Sequence, residues 1–196
     1  MHKQPNIVDF VESIWSIPDY YIANSKRYHI ELDNTKKKVL NMMVDEPYFI
    51  GEFRRQFGKS EMCLMYAVYM AAKYSGKKIT LVYSSEGDYR NKLERLKNRL
   101  ENTMLLKCSG DGNFRFHNDS SIRMTINGSE MEESDIVIID EAAWFEDEKL
   151  VEILGKCKEY CDVKILTSAN ENGGEEYNKL IKNPDYTYLR YATVED

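Results

Sequence analysis

Phe53-Arg54-Arg55-Gln56-Phe57-Gly58-Lys59-Ser60 follows a short β-rich run, Tyr48 to Ile50, and opens a helix expected from about Lys59 to Tyr74. That helix is apolar nearly all round, carrying Met62, Leu64, Met65, Ala67, Val68, Met70 and Ala71, as a buried helix must be. Gly76 suits its C-terminal exit. Strand, loop and buried helix in this order are the context that a phosphate-binding loop needs. Backbone N–H groups at a helix N-terminus offer partial positive charge to an anion. On this reading Arg54, Arg55, Gln56, Phe57 and Gly58 form the cradle, Lys59 reaches the β- and γ-phosphate oxygens of ATP, and the Ser60 hydroxyl ligates Mg²⁺. Phe53 stands where the standard loop has glycine.

Downstream, Ile136-Val137-Ile138-Ile139-Asp140-Glu141 is a hydrophobic strand delivering two carboxylates at its C-terminal edge, where open α/β sheets bind ligands. Asp140 is expected to hold Mg²⁺, and Glu141 to polarise the water that attacks the γ-phosphate. A third strand, Val163-Lys164-Ile165-Leu166, ends in Thr167-Ser168-Ala169-Asn170. Thr167, Ser168 and Asn170 have the small polar groups that a nucleotide sensor requires, able to exchange partners after hydrolysis.

Outside these motifs, short β-rich runs alternate with helices: Ile79 to Tyr83, the two strands above, and Tyr186 to Tyr191, with a helix showing Tyr89, Leu93, Leu96 and Leu100 on one face. Such alternation predicts a mainly parallel sheet flanked by helices. Asn113 to His117 and Ser121 to Ile126, flanking Asn118-Asp119-Ser120, predict an inserted β-hairpin. Residues 1–47 read as a helical lead-in packed on a core of residues 48–196. Its first helix has Asn6 as N-cap and carries Ile7, Phe10, Val11, Ile14 and Trp15 before Pro18; its second starts at Asp33 or Asn34 and ends before Pro47.

The 196 residues, 42% hydrophobic, suffice for one sizeable core. No apolar run approaches a membrane span, so no membrane partner is expected. A net charge of −6 excludes a protein that coats nucleic acid with its whole surface. Lys36, Lys37 and Lys38 read as a solvated helix face, and the fourteen tyrosines as packing. Cys157 and Cys161, spaced C-x3-C with no second pair, read as core cysteines.

Phe53 to Ser60 resembles the deviant R-Q-x-G-K-[ST] loop of phage terminase large subunits. Phe116-His117-Asn118-Asp119-Ser120-Ser121-Ile122 is similar to that family's N-G-S-x-I hairpin, and Asp140-Glu141-Ala142-Ala143-Trp144-Phe145 to its D-E-[AC]-x-F stretch. Thr167-Ser168 matches the family's coupling motif, and Asn172-Gly173 to Tyr177 its following N-G…F-Y run. The resemblance covers Tyr48 to Ile181. It implies an ASCE, RecA-like P-loop NTPase fold and a Mg²⁺-dependent ATPase with Glu141, Arg55 and Lys59 as catalytic residues. Arg55 matches the loop arginine proposed to act on the γ-phosphate in cis; Arg54 is its less favoured neighbour, and Arg90, Arg95 or Arg99 could serve a neighbouring subunit.

The resemblance further implies translocation of double-stranded DNA into a procapsid by a homo-oligomeric ring, a pentamer in the family, docked on a portal in the infected host's cytoplasm. Two departures stand out. No glutamine of the family's adenine motif appears around Leu32-Asp33-Asn34-Thr35, and the chain ends at Asp196, so no nuclease activity is expected of it. Two competing readings stay open: a DEAD-like helicase core, since Asp140 to Ala143 and Thr167-Ser168-Ala169 resemble its motifs, and a non-hydrolysing nucleotide-binding scaffold.

Overall fold

The computed structural model describes residues 5–15, 31–101, 103–169 and 173–191. The chain runs α1 (Ile7–Ile14), α2 (Asn34–Asp45), β1 (Tyr48–Phe53), α3 (Lys59–Lys73), β2 (Lys78–Tyr83), α4 (Glu86–Leu100), β3 (Leu106–Gly110), β4 (Asn113–Phe116), β5 (Ser121–Ile126), β6 (Ile136–Asp140), a 3₁₀ turn at Ala142–Trp144, α5 (Asp147–Gly155), β7 (Asp162–Ser168), α6 (Glu175–Leu180) and β8 (Thr187–Tyr191). The strands form one eight-stranded sheet in the order β3-β4-β5-β2-β6-β7-β1-β8. From β5 to β8 every pairing is parallel; β3, β4 and β5 pair antiparallel.

This is the expected α/β architecture: a mainly parallel sheet with helices on both faces. The side chains of α1, α2, α3 and α4 share one buried cluster with the sheet, from Val11 and Val39 through Tyr66 to Phe114 and Ile138. A second cluster joins Ile50, Val137, Ile139 and Ile165 to Leu150 and Ile153 of α5 and Tyr177 of α6. Side-chain caps fix the helix starts: Asn6, Asp33 and Ser85 accept from the N–H groups of Asp9, Lys36 and Asp88.

The hairpin expectation needs enlarging. β4 and β5 pair antiparallel around Asn118 to Ser120, but β3 adds an outer strand, and β5 pairs in parallel with β2 over its whole length. The hairpin is therefore continuous with the central sheet. The loop Asn118–Ser120 is anchored to the end of α3, where Asn118 Nδ2 donates to Ala71 O at 2.8 Å. In the lysine run Lys38 is exposed, and Lys36 and Lys37 are half-exposed with ion-pair partners. Lys37 pairs with Glu12 of α1 at 3.1 Å, and Lys36 pairs with Asp33 at 2.7 Å while its Nζ lies 5.7 Å from the Phe57 ring. Tyr66, Tyr69, Tyr83 and Tyr177 pack in the interior. Cys161 is buried, Cys157 half-buried, and both thiols are free. Pro18 and Asn172 lie outside the described residues.

Candidate active site

β7 lies between β1 and β6, so three strand ends meet at one edge: Phe53 leading into the loop, Asp140 with Glu141, and Thr167 with Ser168. The pairing registers set Phe53 opposite Ser168 and Asp140 opposite Leu166. The loop turns at two left-handed residues, Gln56 (φ 63°) and Gly58 (φ 93°), before α3 begins at Lys59.

Phe53 needs no glycine's freedom, because it completes β1 and points inward. Its ring is fully buried and stacks on Phe57 at 4.5 Å with an interplanar angle of 3°, and on Tyr191 at 6.0 Å. A glycine stands two residues earlier, at Gly51. A Cβ on Gly51 would stand 2.4 Å from the Phe53 ring, so its absence makes room for the stack. The loop thus rests on an aromatic platform formed by Phe53, Phe57 and Tyr191.

Lys59 is 5% exposed, and its ammonium lies 3.2 Å from Glu141 Oε1 and 3.4 Å from the Arg54 carbonyl. Glu141 has a left-handed backbone, φ 62°, a conformation costing about 1–3 kcal/mol that persists only where the surroundings enforce it. They do so here: its N–H donates to Leu166 O at 2.7 Å, and its carboxylate accepts from Ser168 N at 2.6 Å, Ser168 Oγ at 2.9 Å and Thr167 Oγ1 at 3.4 Å. Thr167 Oγ1 in turn accepts from Ala143 N at 3.2 Å. Thr167 and Ser168 therefore touch the carboxylate directly, while Asn170 lies outside the described residues.

Asp140 is 3% exposed, and its Oδ1 has no hydrogen-bond partner. Burial pushes its pKa up to about 6; the Ser60 hydroxyl pulls it down, and the neighbouring charge of Glu141 raises it. A buried carboxylate oxygen without a partner, beside a hydroxyl, fits a hard divalent cation. Among the described residues no group of three or more His, Cys, Asp or Glu side chains could hold a metal. Mg²⁺ suits such a sparse set, since it takes one or two protein ligands plus phosphate oxygens and water.

Arg55, Gln56, Lys59, Glu141 and Ser168 line a cleft of about 410 Å³, together with Trp144, with Ser84 and with Asp88 in the first turn of α4. The Arg55 guanidinium lies 5.7 Å from the centre of the Trp144 ring, a cation–π contact that aims it over the cleft. Arg54 is exposed and contributes its carbonyl to Lys59. Arg90 pairs with Glu86 at 2.5 Å, Arg95 reaches Glu61 at 3.5 Å, and Arg99 donates to Trp15 O at 3.1 Å. Residue-by-residue reading missed Trp144 as a cleft residue, and also Lys36, whose Cε lies 3.6 Å from a Cβ placed on Gly58. An aromatic after a D-E pair and a lysine at a helix start were the signals available.

These features set the Phe53–Ser60 loop, an acidic strand end and a polar strand end on one edge of a mainly parallel α/β sheet. No protein-family model matches the sequence, and no curated protein does. Solved structures do match. The large terminase ATPase domain of Thermus phage P74-26, in a point-mutant form, aligns at TM-score 0.65 and 14% identity over 82% of this chain and 81% of that one. The large terminase of a thermophilic bacteriophage, in complex with ATP-gamma-S, aligns at TM-score 0.62 and 14% identity over 82% of this chain. The chain spans 45% of the length of that terminase. The UvsW helicase of bacteriophage T4 aligns at TM-score 0.62 and 13% identity, over 96% of this chain and 68% of that one. At these identities the likeness is one of fold.

Proposed function

We propose that this chain is an ATP-hydrolysing motor domain that powers translocation of double-stranded DNA into a procapsid, with residues 48–196 as its ATPase core and 1–47 as a helical lead-in. The observation that carries the reading is the clamp of Glu141 between Lys59 on one side and Thr167 and Ser168 on the other. Lys59 is shared between the carboxylate and whatever anion enters the cleft. ATP phosphates seated on the loop draw Lys59 towards them and loosen its hold on Glu141, which then accepts the proton of an attacking water. Arg55 adds positive charge where negative charge develops on the γ-phosphate. Ser60 and Asp140 would hold Mg²⁺, which would supply charge neutralisation at the phosphates. After hydrolysis Ser168 and Thr167 regain the carboxylate, which ties the nucleotide state to the position of β7.

The likeness of fold to terminase ATPase domains supports a packaging motor acting as a portal-docked ring. A helicase-type translocase is the second reading, favoured by the near-complete coverage of the chain by the UvsW fold. Steady-state phosphate release with and without duplex DNA, run beside a strand-separation assay, distinguishes them. A packaging motor is stimulated by duplex and separates no strands; strand separation would move the assignment to the helicase, and nucleotide binding without turnover would move it to a scaffold.

A further inference from the structure

On the face of the sheet where α5 and α6 cover β6, β7 and β1, the strands beyond β2 carry polar side chains. Thr80 shares the face of Val82, which packs in the cluster beneath α5, and its register partner Arg123 extends that face onto β5. Register also sets Arg115 opposite Ser121 and Ser121 opposite Lys78, so these three form one row across β4, β5 and β2. With neighbouring strands about 4.8 Å apart, the ends of that row are roughly 10 Å apart. The row opens into a cleft of about 320 Å³, which Lys107 and Asp119 also line.

The charges in this cleft are not balanced. Arg123 is satisfied internally, by Asn113 Oδ1 at 3.0 Å, Glu130 O at 2.7 Å and the Glu132 carboxylate at 2.9 Å. Glu133 is held by Lys158 and by the Tyr160 hydroxyl. The acids of the rim are thereby occupied, whereas Lys78, Lys107 and Arg115 form no salt bridge among the described residues. Three carboxylates line the cleft, Asp119, Glu132 and Glu133, of which only Asp119 forms no salt bridge among the described residues, against the three cations Lys78, Lys107 and Arg115 that form none, on a chain whose net charge is −6.

We propose that this cleft docks the phosphodiester backbone of duplex DNA, with Lys78, Lys107 and Arg115 on phosphates and the Ser121 hydroxyl as a neutral donor between them. The inference rests on the motor reading above and names the surface through which the motor holds its track. Lys78 and Arg115, whose backbone positions are roughly 10 Å apart, with Lys107 on the outer strand β3, suit a polymer of regularly spaced single charges. The one aromatic residue among the cleft-lining side chains, Phe116, is 2% exposed, so the cleft wall itself offers no platform for an unpaired base, and the exposed Tyr160 at the rim has its hydroxyl committed to Glu133. Contacts of this kind position a duplex without reading its sequence. β2, which begins at Lys78, pairs with β6, which ends at Asp140, so one strand pair spans from the DNA cleft to the nucleotide cleft.

The test is duplex binding by fluorescence anisotropy across a salt series, using the whole chain and the triple variant Lys78→Ala, Lys107→Ala, Arg115→Ala, with basal phosphate release measured in parallel without DNA. Loss of three phosphate contacts should flatten the slope of log K against log salt by about 2.7 and leave basal release unchanged. Asp119→Asn, which removes the opposing charge at a left-handed position (φ 66°) that asparagine accepts, should tighten binding severalfold. An unchanged slope in the triple variant, or wild-type chain that hydrolyses ATP yet holds no duplex, overturns the inference and leaves the ATPase reading standing. A flattened slope in a chain that releases no phosphate has the reverse meaning: the docking surface stands and the motor reading falls.

Discussion

At the C-terminal ends of β1, β6 and β7 Lys59 is buried and Glu141 half-buried, and each is held by several partners: Lys59 by Glu141 and the Arg54 carbonyl, Glu141 by Ser168 and Thr167. On β4 and at the start of β2 the cations Arg115 and Lys78 stand in solvent with no salt-bridge partner among the described residues. The first arrangement costs desolvation and repays it in fixed geometry, which is what chemistry on a phosphate requires. The second costs little and commits to no single geometry, which suits a moving polymer. Substitutions in the two places should therefore behave differently, with large effects on rate or folding at the first and almost none on folding at the second.

The largest effect is expected at Arg55. Arg55→Ala should lower turnover about 10³-fold, with nucleotide affinity changed far less, as judged by single-turnover phosphate release beside equilibrium binding. Next is Phe53→Gly, which restores the standard loop residue yet deletes a buried ring stacked on Phe57 and Tyr191. It should cost about 3–5 kcal/mol in denaturant unfolding, and a neutral result would show that the platform is dispensable.

A smaller effect is expected at Lys164, a fully buried residue whose ammonium donates to the carbonyls of Glu46 and Pro47 and lies 3.7 Å from Asp162. Burial lowers its pKa to about 8 from 10.5, with Asp162 opposing the shift. The fold thus binds that proton less tightly than the unfolded chain does, and stability from this group rises as pH climbs from about 8 towards 10.5. Wild type should gain on Lys164→Met by up to about 1.4 kcal/mol per pH unit in that window, in urea melts at successive pH values. The smallest effects belong to the exposed cleft. Lys107→Ala and Arg115→Ala should each shift stability by less than about 0.5 kcal/mol, and a larger loss in thermal melts would show a structural role for these cations.

Much of the parallel half of the fold was legible because its strands are short apolar runs ending in diagnostic polar residues, and because α3 is apolar on every side. The antiparallel edge was only half legible. β3 (Leu106–Gly110), with Lys107, Cys108 and Ser109 exposed, has no hydrophobic alternation to announce it. The short α5 and α6 have too few buried positions for a periodic signal. Lys164 was hidden for the opposite reason, since a lone lysine inside Val163 to Leu166 reads as a flaw in a buried strand until the two carbonyls it caps are seen. The clamp on Glu141 could not be read at all: it depends on β7 lying between β1 and β6, and strand order is a property of the sheet rather than of any segment. The expected roles of Asp140 and Glu141 followed from their position at a strand end. Gly51 making room for Phe53 was invisible without the ring's direction.

The most direct test of the ATPase at the centre of this account is steady-state phosphate release from Mg²⁺-ATP by wild-type chain and by Glu141→Gln, with nucleotide binding followed by a fluorescent ATP analogue. The account predicts that Glu141→Gln binds the analogue as wild type does while turnover falls by about 10²-fold or more. Equal turnover in the two proteins would show that Glu141 does not activate water and would remove the chemical basis of the motor.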